Sequence, residues 1–567
     1  MIRSLAFVGL SAFALAIHAA TPVFTVDLNR KIATAAANGG GRVVVGPGRY
    51  LSGTIRMESN VELHLEQGAE VLGVADQDAY PVFPNAKTVS QKNRFGWCSL
   101  VYAEGVTNIA ITGMGTIDGQ GSLQKGRPGL NGDLDCRARG ILFVTCRNVT
   151  VRDIRLRNAG MWTQHFFDCE DVLVENLNVF SRANHNNDGI DIDSCRRFVV
   201  RNCTIDSADD AIVLKTTSFH PCEDVLVERC VISSQAAGFK IGTETLGDVR
   251  RVRVRDIRVS PSNVKTAFNH SKGRWRGIDA IAIVSTDGAE VSDVDIDGVQ
   301  AAGQECAFFM RVGNRCRPVS EGGGSRAPGS IRHVRIANLK SEDTGILGSS
   351  IVSFEHGRIS DVVLENIQID SVGGVGEGDY TTLGEFRTWS DSYPSALSLG
   401  NVPAKGLFLY GVDEKSVAVR SFAVASKIAD VRPLRAAKCA VEHGVLERYR
   451  HELGSDSLCL GYGRVPYAFI RFEEGAYVCA LIGEDKIFQN RVQLASALAR
   501  EAHEKGWAGV CLPARRYSGD PEGVDREMVQ ILHDSGFYVA VWYRGSLDES
   551  YCREVGVDGA VEFGKEE

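Results

Sequence analysis

The stretch Val172-Leu173-Val174-Glu175-Asn176-Leu177-Asn178-Val179 decides the fold. Apolar and polar residues alternate on either side of Asn176, as in two short half-buried strands. Asn is one of the few residues that tolerates the left-handed backbone of a sharp bend between them. The pattern apolar-x-apolar-x-polar-apolar-x-apolar recurs with its first residue at Val149, Val172, Phe198, Val225, Val252, Val294, Val334 and Val362. The spacings are 23, 26, 27, 27, 42, 40 and 28 residues. The fifth place holds Asp153, Asn176, Asn202, Arg229, Asp256, Gly298, Asn338 and Asn366, the predicted corners.

Repeats of 23 to 28 residues, built from short strands with no helical period, describe an all-β, right-handed parallel β-helix better than a leucine-rich horseshoe or a propeller. Val174, Val200, Val227 and Val254 should stack inside it. The longer spacings place inserted loops near 260–277 and 301–330, as walls over one face. Cys203 and Cys230 hold equivalent places in consecutive coils and are expected to be stacked thiols. A helix over Asn29–Ala37, stopped by Asn38-Gly39-Gly40, should plug the apolar end of the solenoid. Gly406–Tyr410 and Val417–Phe422 read as its last coils, with the solenoid reaching about residue 445.

The rest of the chain fits an exported protein. Arg3, the apolar run Leu5–Ile17 and small residues Ala19 and Ala20 read as a signal peptide over 1–20. With 567 residues, net charge −8 and 60 glycines against 15 prolines, the chain is long enough for a large core and rich in turns. Its acidity argues against nucleic acid as main partner. No apolar run reaches membrane-spanning length, and a monomer is expected. Fifteen cysteines include no pair at zinc-ligand spacing, so neither a metal nor a cofactor is expected. Residues 446–567 change texture. Val492–Lys505, Gly509–Leu512, Val524–Ser535, Tyr538–Trp542 and Gly556–Phe563 alternate helix-like and strand-like patterns, a small α/β segment of unassigned role. Its end resembles the last strands of glycerophosphodiester phosphodiesterase barrels, without the catalytic residues of that family.

Carboxylates gather on consecutive coils. Asn186-Asn187-Asp188-Gly189-Ile190-Asp191 is followed by Asp209-Asp210-Ala211-Ile212, so Asp209 and Asp210 lie 21 and 22 residues beyond Asp188, close to one coil. Strands of neighbouring coils stand roughly 4.8 Å apart, which would put Asp188 and Asp210 in one column with Asp209 beside them. Crowded acids raise at least one pKa, as an acid/base pair requires. Asp-rich turns that only satisfy backbone donors or bind calcium are the alternative. One coil further, Ala237 follows Asp210 and Lys240 stacks over Asp191 and Val213. Lys215 and Lys240 would either meet a ligand carboxylate or neutralise the aspartates. Trp162 and His165 would offer a sugar-stacking ring and a hydrogen-bonding imidazole.

From about residue 25 to 445 the chain resembles the polygalacturonase-like glycoside hydrolase family 28, bacterial type. The resemblance rests on Asn186-Asn187-Asp188, Asp209-Asp210, Gly238-Phe-Lys-Ile-Gly242, Gly39-Gly-Gly-Arg-Val-Val-Val45, Ser59–Leu65 with Gly68-Ala69, and Asp430-Val-Arg-Pro433. It implies an inverting hydrolase of a pectic or other uronic-acid glycan, with Asp210 as general acid and Asp188 and Asp209 activating water. Asn186, Asp191, Lys215, Lys240, Glu244, His165 and Trp162 become the candidate substrate-binding residues. Two departures stand out. The histidine of the family's Gly-His-Gly motif falls on Ala237, and its Arg-x-Lys motif has no counterpart in Gly277-Ile-Asp-Ala-Ile-Ala-Ile283. Lys240, Lys215 or the Arg274/Arg276 loop would then meet a uronate, with Lys240 best placed, or the substrate is another pectic or uronic-acid sugar. A polysaccharide lyase using calcium, or a non-catalytic glycan-binding solenoid, remains the alternative.

Overall fold

The computed structural model describes residues 22–426 apart from 84–89, 92–96, 125–136, 263–276, 321, 346–347 and most of 372–406; beyond 457 it describes discrete strands and helices. The signal segment 1–20, Arg274, Arg276, Asp430–Pro433 and the solenoid's expected end near 445 lie outside the described residues.

All eight repeats stack in register. Val149 pairs with Val172, which pairs with Phe198, then Val225, Val252, Val294, Val334 and Val362, every pairing parallel. Val174, Val200, Val227 and Val254 form a neighbouring column of fully buried side chains. Every predicted corner is left-handed, with φ between 52° and 78°. Seven of the eight are not glycine, so each repeat accepts that local cost to turn its strand. The residue just before each repeat, from Asn148 to Asp361, is also left-handed. That second corner is occupied by Asp, Asn, Arg and His in turn.

Two long parallel sheets result, one counting twenty strands because it includes both arms of the bent pair, the other eleven. Parallel crossovers wind right-handed, and the chain forms the expected right-handed parallel β-helix. One continuous core runs from Leu28 and Ile32 to Val412 and Val417. The solenoid still coils where predicted late in the chain: Leu407–Tyr410 pairs with Ser349–Ser353, and Phe422–Ser426 with Ile359–Ser371. Cys203 and Cys230 are free buried thiols.

The capping helix α1 spans Val23–Ala37, six residues earlier than expected. Pro22 is its N-cap residue, and the run Val23-Phe-Thr-Val, made of residues common in strands, hid its first turns. Thr25, Leu28 and Ile32 face the core at helical spacing. Beyond residue 457, Gly509–Pro513, Tyr538–Tyr543 and Gly559–Glu562 form a parallel sheet, with a helix at Arg526–Asp534, matching the α/β pattern. An antiparallel meander over Leu458–Phe488 was not anticipated.

The site lies on the eleven-stranded sheet. Seven of its consecutive strands are β1 (Arg139–Val144), β2 (Gln164–Phe167), β3 (Ile190–Asp193), β4 (Ile212–Thr216), β5 (Ala237–Thr245), β6 (Gly277–Ser285) and β7 (Gln304–Val312).

Candidate active site

Register builds the site one coil at a time. Ile190 of β3 pairs with Ile212 of β4, and Ile212 with Phe239 of β5, so Asp188, Asp210 and Ala237, each two residues earlier, stand in one column. Ala237 pairs in turn with Asp279 of β6. The residue after each column member is small, Gly189, Ala211, Gly238 and Ala280, because the next coil lies against it. A Cβ on Gly189 would stand 2.4 Å from the carbonyl oxygen of Ala211.

The turns are fixed by hydrogen bonds. Asn187 accepts from the amides of Ala183 and Asn184 and donates to the carbonyls of Ala159 and Met161, locking the loop that presents Asp188. Asn186 accepts from Arg137 at 3.3 Å. The hydroxyls of Ser207 and Ser234 both donate to the carbonyl of Asp209, and the Asp210 amide donates to the Asp209 carboxylate at 2.8 Å. One oxygen from each of Asp188, Asp209 and Asp210 lies within 4.8 Å of the other two. The three acids predicted to share a groove are therefore together, and all are buried, Asp209 least so.

Two ammonium groups serve this cluster. Lys240 Nζ donates to Asp210 Oδ2 at 2.8 Å, while the Ala237 amide donates to Asp210 Oδ1 at 3.1 Å. Lys215 Nζ stands 3.5 Å from Asp188, from Asp191 and from Glu244. It also lies 4.7 Å above the Trp162 ring. Burial alone would lower both lysine pKa values, but Glu244, Asp188 and Asp191 hold Lys215 well above the usual range, and Asp210 raises Lys240.

The carboxyls respond in the opposite sense. Burial, with Asp209 next, pushes Asp188 up to about 7, against the pull of Lys215. Burial and Asp188 push Asp191 well above its ordinary value. Asp188 Oδ1 and both Asp191 oxygens are buried without a hydrogen-bond partner, so neutral carboxyls suit their surroundings.

Trp162 and His165 occupy the floor rather than an open wall. His165 is fully buried, and burial lowers its pKa to about 4 despite Asp193 beside it. In this neutral form its Nε2–H donates to Asp193 at 3.1 Å, and Asp193 also accepts from the Thr217 hydroxyl and amide. Trp162 packs edge-on against His165 and carries Arg139 at 5.2 Å in addition to Lys215. It is a platform for cations, where the sequence suggested one for sugar.

Two residues escaped the sequence reading. Asp279 stacks over Ala237, and burial raises its carboxyl to about 8, with Lys240 opposing. The 42-residue spacing hid its register. Arg317 comes from the inserted wall before Ser330 and donates to Glu244 at 3.2 Å. Nothing in the repeat could have revealed it.

Residues 51–273 match the family model of glycosyl hydrolases family 28. A "Probable polygalacturonase" of Vitis vinifera is 23% identical over 397 residues, covering 65% of this chain and 77% of that protein. An endo-polygalacturonase of Pectobacterium parmentieri is 26% identical over 223 residues, covering 37% and 55%. Among solved structures, a hyperthermoactive exopolygalacturonase from Thermotoga maritima aligns with a TM-score of 0.51 at 22% identity, covering 70% of this chain and 87% of that one; that likeness is one of fold.

Proposed function

Starting from a glycosyl hydrolases family 28 segment at residues 51–273, we propose that this chain is an exported, monomeric glycoside hydrolase that cleaves a pectic, uronic-acid-containing glycan. Asp188, Asp209 and Asp210 do the chemistry. The observation that carries the reading is their convergence within 4.8 Å on consecutive coils, where crowding and burial raise the Asp188 carboxyl as an acid/base site requires. Asp210 is the acid on the family resemblance, and Asp188 with Asp209 activate water.

A second allocation of roles is favoured by one detail. Both Asp210 oxygens already accept hydrogen bonds, whereas Asp188 holds its proton up to about pH 7. Asp188 would then deliver the proton and Asp210 would act as the base, and kcat/KM would fall as pH rises through about 7. The stereochemistry rests on the resemblance. Carboxyl pairs in inverting enzymes usually stand roughly 6.5–9.5 Å apart, and the nearest oxygens here are closer than that.

The lyase reading would use the trio to hold calcium. Against it, an ammonium already lies 2.8 Å from Asp210 and another 3.5 Å from Asp188, and both would repel a dication. Reducing-end release from homogalacturonan, rhamnogalacturonan and uronide oligomers tests the proposal. Hydrolysis leaves saturated ends, whereas a lyase leaves an unsaturated sugar absorbing in the near ultraviolet.

A further inference from the structure

A uronate in the groove needs a cation, and the described cations touching the acidic cluster differ in what they have to offer. The Lys215 side chain is 6% exposed and is shared by three carboxylates. The Lys240 side chain is 15% exposed and bonded to Asp210; taking it for substrate would strip Asp210 of its partner. Arg139 is buried against Trp97 and Trp162. The Arg317 side chain is 27% exposed and reaches the cluster from the rim, through Glu244.

The wall that carries Arg317 does not depend on this contact. Arg315, only 6% exposed, makes a two-pronged pair with the fully buried Asp287 and donates to the Thr243 carbonyl at 3.0 Å. The Arg317 amide also donates to Asp287, and the Gln91 side chain donates to the Arg317 carbonyl. Arg315 and the Arg317 backbone fasten this stretch of the wall, and the guanidinium stands on that base. Glu244 accepts from Arg317 with one oxygen and faces Lys215 with the other, so Arg317 is linked to Asp188 by three successive ion pairs, through Glu244 and Lys215. A planar guanidinium offers five donors in a fork that matches a carboxylate.

We infer that Arg317 is the specificity-determining residue that receives the carboxylate of a uronic-acid unit bound beside the cleavage point. The inference rests on the hydrolase reading above. It assigns charge recognition to the inserted wall and leaves Lys215 and Lys240 to balance the acids.

The test compares wild type, Arg317→Ala and Arg317→Lys on a galacturonan oligomer and on its methyl ester, the same backbone without charge. Arg317→Ala should raise KM on the free acid by about ten- to a hundredfold, the worth of a charge-assisted contact, with kcat little changed. The ester should be unaffected, and Arg317→Lys should be intermediate. Equal losses on both substrates, or a fall in kcat alone, would overturn the inference and make Arg317 a fastening of the wall. Calorimetric binding of galacturonate separates this from the hydrolase reading. If wild type hydrolyses nothing yet binds galacturonate and Arg317→Ala does not, the hydrolase reading fails while the carboxylate-receiving role of Arg317 stands. Equal binding by the two, or none by wild type, overturns it.

Discussion

Replacing Asp188 by Asn should make the protein more stable above pH 7 while disabling it. Asp188 has a pKa of 3.8 in ordinary surroundings and about 7 in the folded protein, chiefly because burial penalises its charge. The folded state therefore binds this proton more tightly than the unfolded chain does. Stability is greatest below the unfolded value, falls as pH rises from about 4 to 7, and stays reduced above that. A rise of about three units, at 1.36 kcal/mol each, is a penalty of about 4 kcal/mol. Asn is nearly isosteric and carries no charge, so it removes the penalty. That rise already includes the attraction of Lys215, so the gain is up to about 4 kcal/mol at pH 8 and none at pH 3. Urea unfolding of wild type and Asp188→Asn across that range reads the difference directly. A variant no more stable than wild type at pH 8 would refute the claim that Asp188 is held against its charge.

Three other perturbations follow from the architecture. Asn202 is left-handed at φ 56°, so Asn202→Val should cost roughly 1–2 kcal/mol and Asn202→Gly little, as thermal unfolding would show; equal costs would deny the corner its role. Lys240→Met strips Asp210 of its ammonium partner and should lower kcat by about tenfold or more on charged and neutral glycans alike; a loss confined to uronides would return Lys240 to substrate recognition. A chain ending at residue 445 should stay soluble and active, since the α/β segment shares no repeat with the solenoid; aggregation on gel filtration would show that the segment covers an open solenoid end.

Much of this was legible because solenoids write their register into sequence. Each of the eight repeat starts pairs with the next, and every fifth residue is left-handed, since a corner recurs at one place per coil and Asn, Asp and Gly mark it at seven of the eight. The same logic joined Asp188 to Asp210 and Ala237. Legibility ended where side chains choose partners across coils. Asp171, Arg197, Asp224 and Arg251 occupy the second corner, where Arg is a poor left-handed candidate alone. They are held there by stacked ion pairs at 2.6 and 2.7 Å that exist only after the coils assemble. Trp162 and His165 read as ligand-facing because their place in the sequence says nothing of Lys215 and Asp193, which they meet. Arg317 lies in an insertion, outside the repeat.

The central claim is that the acids on consecutive coils hydrolyse a uronic-acid glycan. Proton magnetic resonance of a galacturonan oligomer, followed from the first minutes with wild type and Asp210→Asn, tests it most directly. The account predicts new saturated reducing ends, first in the inverted configuration, that vanish in the variant. An unsaturated product, or reducing ends formed equally well by Asp210→Asn, would contradict it.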